Sequence, residues 1–179
     1  MKITKEHLRQ VIKEELALVL NESAAGEPSW KGYLGWHVPN ESVDTSGVDA
    51  QLINNRIQRD GKDVYHITII SPPETRDIVQ NIKKEQELSG GKAKKAAKEA
   101  LLKRADALAD YDFNIGETKS IEGPGDGSVG AKGEDSVAVF KTVEWPEAQA
   151  LRAEFGLGPK DLHITLGIGV NGDVHGSKN

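Results

Sequence analysis

Apolar positions along this chain follow two rhythms. Between residues 3 and 20, Ile3, Leu8, Val11, Ile12, Leu16, Val19 and Leu20 recur along one face of a helix with Lys, Glu, Arg and Gln on the other, and Thr4 is placed to cap it. Further on the period shortens to two. Val64 to Ile70 reads as a strand stopped by Ser71-Pro-Pro73, and Leu162 to Val170 reads as another. Weaker strands are expected over 29–38, 113–121 and 136–143. Helical spacing returns at 74–84 and at 92–109, where Ala97, Leu101, Ala105 and Leu108 share a face. It returns again at 146–155, opened by Pro146 and closed by Gly156. Strands and helices that mix without regular alternation predict an α+β fold. Asn21 to Pro28 reads as a linker, so residues 1–28 are expected to form a helix and linker and residues 29–179 the domain.

Composition narrows the chemistry. The 179 residues include no cysteine, which excludes disulfides, thiolate zinc sites, iron–sulfur clusters and cysteine nucleophiles. No run approaches the ~18 to 20 uncharged apolar residues of a membrane span. Lys13, Glu14 and Glu15 interrupt the first helix where a secretory signal would be apolar. A cytoplasmic location without membrane attachment is expected. A net charge of −5 argues against coating duplex nucleic acid by bulk electrostatics. Lys83 to Arg104 nevertheless holds eight Lys or Arg against three Glu, which is either a clamp for a phosphate-rich ligand or a solvated helix face. Gly125-Asp-Gly-Ser-Val-Gly130 matches the dinucleotide fingerprint as a string, but a strand rather than a helix is expected to follow. It reads as a long flexible hairpin connection, and no cofactor or metal is expected. Trp36, Tyr65 and Trp145 are expected in the core.

One internal repeat stands out. Gly61-Lys-Asp-Val-Tyr-His66-Ile-Thr68 recurs as Pro159-Lys-Asp-Leu-His163-Ile-Thr165, one residue shorter. Residues two apart in a strand point to the same face, so each copy presents an imidazole and a hydroxyl together. If the two strands lie side by side, one cleft holds two histidines and two threonines. That set suits phosphodiester chemistry. One ring takes a proton from the attacking oxygen, the other gives one to the leaving oxygen, and the hydroxyls hold the non-bridging oxygens. The spacing does not say which of His66 and His163 is the base. Tyr33, near the first strand, is a candidate to stack on a base or reach a phosphate.

His66-Ile-Thr68 and His163-Ile-Thr165, 97 positions apart, resemble the paired motifs of the 2H phosphoesterase superfamily, which includes 2′,3′-cyclic phosphodiesterases, 2′–5′ RNA ligase-like proteins and phage enzymes that destroy cyclic-nucleotide immune signals. The resemblance implies a bilobal α+β fold, two antiparallel sheets around a central cleft with flanking helices. It also implies catalytic His66 and His163 and phosphate-binding Thr68 and Thr165. Val143-Glu-Trp-Pro146, Gly158 to Gly167 and Asp173-Val-His-Gly176 are similar to its RNA-repair-like "Swiss army knife" branch, which adds His175 and Lys178 as candidate substrate contacts. The first helix resembles leaders of phage-encoded proteins; it reads either as a helix docked on the domain or as one that targets the protein or binds a protein partner. The activity implied is metal-independent cleavage of a 2′,3′-cyclic phosphate or related phosphodiester, with an RNA end or a cyclic nucleotide or oligonucleotide as substrate. A hydrolase of cyclic oligonucleotide defence signals and a non-catalytic nucleotide-binding module are the alternatives.

Overall fold

The two strongest strands are neighbours. In the computed structural model, which describes residues 26–175, β1 (Glu27–Trp30), β2 (Leu34–Val38), β3 (Tyr65–Ile70), β4 (Asn114–Pro124), β5 (Asp135–Glu144) and β6 (Leu162–Ile168) form one antiparallel sheet in the order β1-β2-β3-β6-β5-β4. Four helices accompany it: α1 (Ala50–Asp60), α2 (Pro72–Glu85), α3 (Gly90–Asp106) and α4 (Pro146–Glu154). The helix expected over 3–20 and Lys178 lie outside the described residues. Among those described, no helix is long and apolar enough to cross a membrane.

Three expectations need correction. The resemblance implied two sheets; the described residues form one, because β3 and β6 join two three-stranded halves through the pairing of Ile67 with Ile164. The single strand read over 29–38 is a hairpin, turned at Lys31 to Tyr33, and it begins at Glu27, inside the stretch read as linker. The 122–135 connection is pinned rather than loose. Asp126 N–H donates to the Asp173 carbonyl, Gly127 N–H to the Asn171 carbonyl and Ala131 N–H to the Asn171 side chain, which fastens the loop to the segment after β6.

The join between the halves relates them by a local twofold axis. Ile67 and Ile164 occupy equivalent places in the repeat and face each other, so the axis between them exchanges the two motifs. Each half runs hairpin, helix, third strand. Each third strand also carries a bulge directly after its threonine, at Ile69 between the pairs Gly35–Thr68 and Leu34–Ile70, and at Leu166 between Phe140–Thr165 and Val139–Gly167. Such bulges add local twist and re-aim the strand beside a site.

The helices cross over between halves. α1 lies on β6, where Asn55 Nδ2 donates to the Ile168 carbonyl at 3.0 Å, while Arg152 of α4 donates to the Ile69 carbonyl of β3 at 2.6 Å. α1 was not expected, yet its ends are well marked. Asp49 accepts from Gln51 N–H at 2.6 Å, and Gly61 ends the helix at φ +73°, a conformation that suits a residue without Cβ. α3 buries Ala93, Ala97, Leu101 and Ala105, four positions apart.

The core lies on the sheet face away from His66 and Thr68. There Trp36, Ile67, Ile164 and Leu166 pack with Leu101, Ala148 and Leu151. Trp36 meets Trp145 edge-on with ring centroids 5.1 Å apart, and Tyr65, buried, has the Arg56 guanidinium 4.2 Å from its ring centroid. Full burial of Ile67 and Ile164 contributes about 1.5–3 kcal/mol each. α1 crosses close over Gly167: a Cβ there would stand 2.7 Å from Leu52 Cβ and 2.9 Å from the Leu52 carbonyl carbon. Gly167→Ala should therefore push α1 off β6 and lose about 1–3 kcal/mol in a urea titration.

Candidate active site

Antiparallel register decides what the repeat builds. With Ile67 opposite Ile164, His66 falls opposite Thr165 and Thr68 opposite His163, all on the face away from the core. The two histidines are then diagonal neighbours, and a diagonal separation of about 7–8 Å leaves room for a phosphate between the side chains. All four residues are half-buried and line one cavity of about 560 Å³. Tyr33 and His175 line the same cavity. The basic segment does not: Lys83, Lys84, Lys92, Lys94, Lys95, Lys98, Lys103 and Arg104 are exposed on α2 and α3, and none reaches the cavity wall.

The histidines sit in different surroundings. His163 Nδ1 lies 3.0 Å from the Asp161 carbonyl oxygen. A carbonyl only accepts, so Nδ1 carries a hydrogen, and the ring exchanges any catalytic proton at Nε2. Phe140 packs edge-on against the same ring at 5.9 Å. Burial pushes the His66 imidazole down to about 4; Asp60 opposes this, while Arg59, Lys31 and His37 add to it. At neutral pH His66 is therefore an uncharged ring with a lone pair to offer. Burial and the nearby Asp60 carboxylate raise the Tyr33 phenol above its ordinary value, against Arg59, which leaves it a hydroxyl donor.

Several wall residues were not foreseen: Arg59, Asp60, Ser71, Pro72, Asp126, Lys160 and Asp173. Their charged groups are held by hydrogen bonds to one another or to neighbours. Arg59 donates to Asp60 through Nε and to Asp173 through Nη1, each at 2.8 Å. His175 Nε2 donates to Asp126 at 3.1 Å, and Lys160 Nζ to Glu74 at 3.3 Å. Lys160 stood in the repeated Lys-Asp flank, and Asp126 in the glycine-rich loop, so both had a visible signal. Arg59 and Asp60 end the helix that the apolar pattern did not reveal. Among the described residues, no three His, Asp or Glu side chains converge to hold a metal ion.

One further network braces the site from behind. Arg152, buried, donates to the Gly158 carbonyl through Nε and Nη2, to the Ile69 carbonyl through Nη1 and to Glu74 through Nη2 at 2.7 Å. Glu74 also accepts from the backbone N–H and the hydroxyl of Ser71, both at 2.7 Å, at the start of α2. Burial raises the Glu74 carboxyl, but hydrogen bonds from Arg152 and Ser71 and the charge of Lys160 outweigh it and hold the group at about 2. The network therefore ties β3 just after Thr68 to the loop that leads into β6.

The paired motifs, the cavity they share and the local twofold agree with what comparison with known proteins finds. Residues 36–175 match the model of the Swiss Army Knife, 2H phosphoesterase domain, which spans every cavity residue named above except Tyr33. Searches of curated proteins and of solved structures found no match. Because the matched region covers most of the chain, the protein belongs to the Swiss Army Knife family of 2H phosphoesterase domains, and an activity of the phosphodiesterase type follows from that membership.

Proposed function

We propose that the protein cleaves a 2′,3′-cyclic phosphate, or a related phosphodiester, of RNA or nucleotides by two-histidine acid–base catalysis. The observation that carries this reading is the Ile67–Ile164 register, which brings both His-x-Thr pairs to one cavity wall. His66, uncharged at neutral pH, takes a proton from the attacking water as its oxygen bonds to phosphorus. His163 delivers a proton from Nε2 to the departing ribose oxygen as the P–O bond breaks, giving a phosphomonoester and a free hydroxyl. Thr68 and Thr165 donate to the non-bridging oxygens, whose charge grows in the transition state. Tyr33 and His175, on the rim, contact the nucleoside or a neighbouring phosphate. A cavity of about 560 Å³ lies within the usual range for nucleotide-sized ligands.

The test is chromatographic. The protein is incubated with EDTA against 2′,3′-cyclic nucleotides, RNA ending in a cyclic phosphate, and cyclic di- and trinucleotides. Cleavage of the first two classes, undiminished by EDTA, is the expected result. The acid limb of kcat/KM should fall near pH 4, because the base is lost as pH drops through the lowered value of His66. Cleavage confined to cyclic oligonucleotides would replace the substrate assignment, and a rate abolished by EDTA would replace the mechanism. Tight binding of a nucleotide without product would instead make the domain a binding module.

A further inference from the structure

β1, β2 and β3 carry an unassigned row of side chains beside the catalytic one. Glu27 is the register partner of His37, and His37 is the register partner of His66. Directly opposed residues on adjacent strands share a face and stand about 4.5–5.5 Å apart at Cα. Glu27 Oε1 lies 3.5 Å from His37 Nδ1. A small pocket lies beside His37 and His66, and Lys31, Tyr33, Asp60 and Lys62 also line it. His66, Tyr33 and Asp60 also line the large cavity, so His37 lies next to the substrate space across these residues.

We infer that His37 is a positioning residue for His66: set opposite it on the neighbouring strand and beside Glu27, its ring, once protonated, opposes a second charge on His66 and so lets His66 go on accepting protons under more acidic conditions. The inference rests on His66 as the proton acceptor of the proposed reaction. Glu27 holds the His37 ring in place, and a charge on that ring opposes a second one on His66 at close range. The other groups that face His66 divide by sign. Lys31 from the hairpin turn and Arg59 from α1 act in the same direction as His37, whereas Asp60 from α1 acts against them and steadies the imidazolium once it forms. Lys62 and Tyr33 line the small pocket, and Thr165 and His163 stand on the β6 side. A neutral ring before the reaction and a carboxylate waiting for the charged one is what a general base requires.

The test separates charge from shape. His37→Gln removes the charge and His37→Lys keeps it, and His37 is half-buried, so both proteins are expected to fold. The side-chain titration of His66 is followed by NMR in the absence of substrate, together with the acid limb of kcat/KM. In His37→Gln the His66 midpoint and the acid limb should both rise by about a few tenths of a unit, since Arg59 and Lys31 act on the ring more strongly than His37 does. In His37→Lys they should stay at or below the wild-type value. A midpoint unchanged in His37→Gln, or shifted equally by the two substitutions, overturns the inference. Should the midpoints move as expected while the wild-type protein turns over no phosphodiester, the coupling stands and the proposed reaction falls.

Discussion

His163→Ala should fold like the parent protein and lose about 10²- to 10⁴-fold in kcat on a cyclic phosphodiester, with KM little changed. The ring is half-buried at the cavity wall, and its removal takes away the hydrogen bond to the carbonyl of the exposed Asp161 and the edge contact with Phe140. The expected loss therefore comes from the transition state, where the leaving oxygen no longer receives its proton. His66→Ala should fall in the same range. The informative protein is the double variant. Two groups that act as one acid–base unit are strongly non-additive, so removing both should cost little more than removing either. Rapid-quench or single-turnover rates for the three proteins check this. A double variant slower by the product of the two single losses would mean that the rings serve separate steps.

Arg152→Ala should have the largest effect on stability, about 3–5 kcal/mol, because it leaves a mostly buried carboxylate and two carbonyls, Ile69 and Gly158, short of their donors. Against a typical total of about 5–15 kcal/mol, that lowers the melting temperature by roughly 6–20 °C. The acid side of the stability curve offers a second readout. Glu74 is held at about 2 in the folded chain against an ordinary 4.5, so the unfolded chain takes up its proton first as pH falls. The stability that Glu74 contributes is complete above about pH 4.5 and is lost as pH drops through 2. In Arg152→Ala the decline between those values should be shallower, since less of the lowered value remains. Chemical denaturation at a series of pH values measures both. An Arg152→Ala protein as stable as wild type would mean that water replaces the guanidinium without loss.

What the sequence revealed, and what it hid, follows from which residues are buried. β3 and β6 announce themselves through Ile67, Ile69, Ile164 and Leu166, apolar at alternate places with the polar site residues between them. α3 does so through alanine and leucine at helical spacing. α1 stayed hidden because its fully buried side chains are Asn55 and Arg56, which satisfy the Ile168 carbonyl, the Val64 carbonyl and Asp63 rather than filling a greasy gap. Apolar periodicity cannot find a helix anchored by polar groups, and with α1 went Arg59 and Asp60. The two His-x-Thr pairs were visible because strand geometry alone fixes their direction. That one sheet holds both depends on a single pairing of residues 97 positions apart, which no local pattern encodes. The segment from Lys83 to Arg104 shows the converse. Its charge is conspicuous in sequence, yet its cations are exposed and none lines the cavity.

The crossing of α1 onto β6 and of α4 onto β3 has a consequence for how competence arises during folding. Each half of the chain contributes one histidine and one threonine, and each braces the strand that carries the other pair. The reactive cavity is thus a seam. A nascent chain whose first half has emerged owns neither the partner strand nor the brace for its own, and no half-folded form can hold a phosphate between two imidazoles. Closing that seam brings together segments nearly a hundred residues apart, which is entropically slow. The proposed acid–base pair therefore exists only once both halves have joined through β3 and β6.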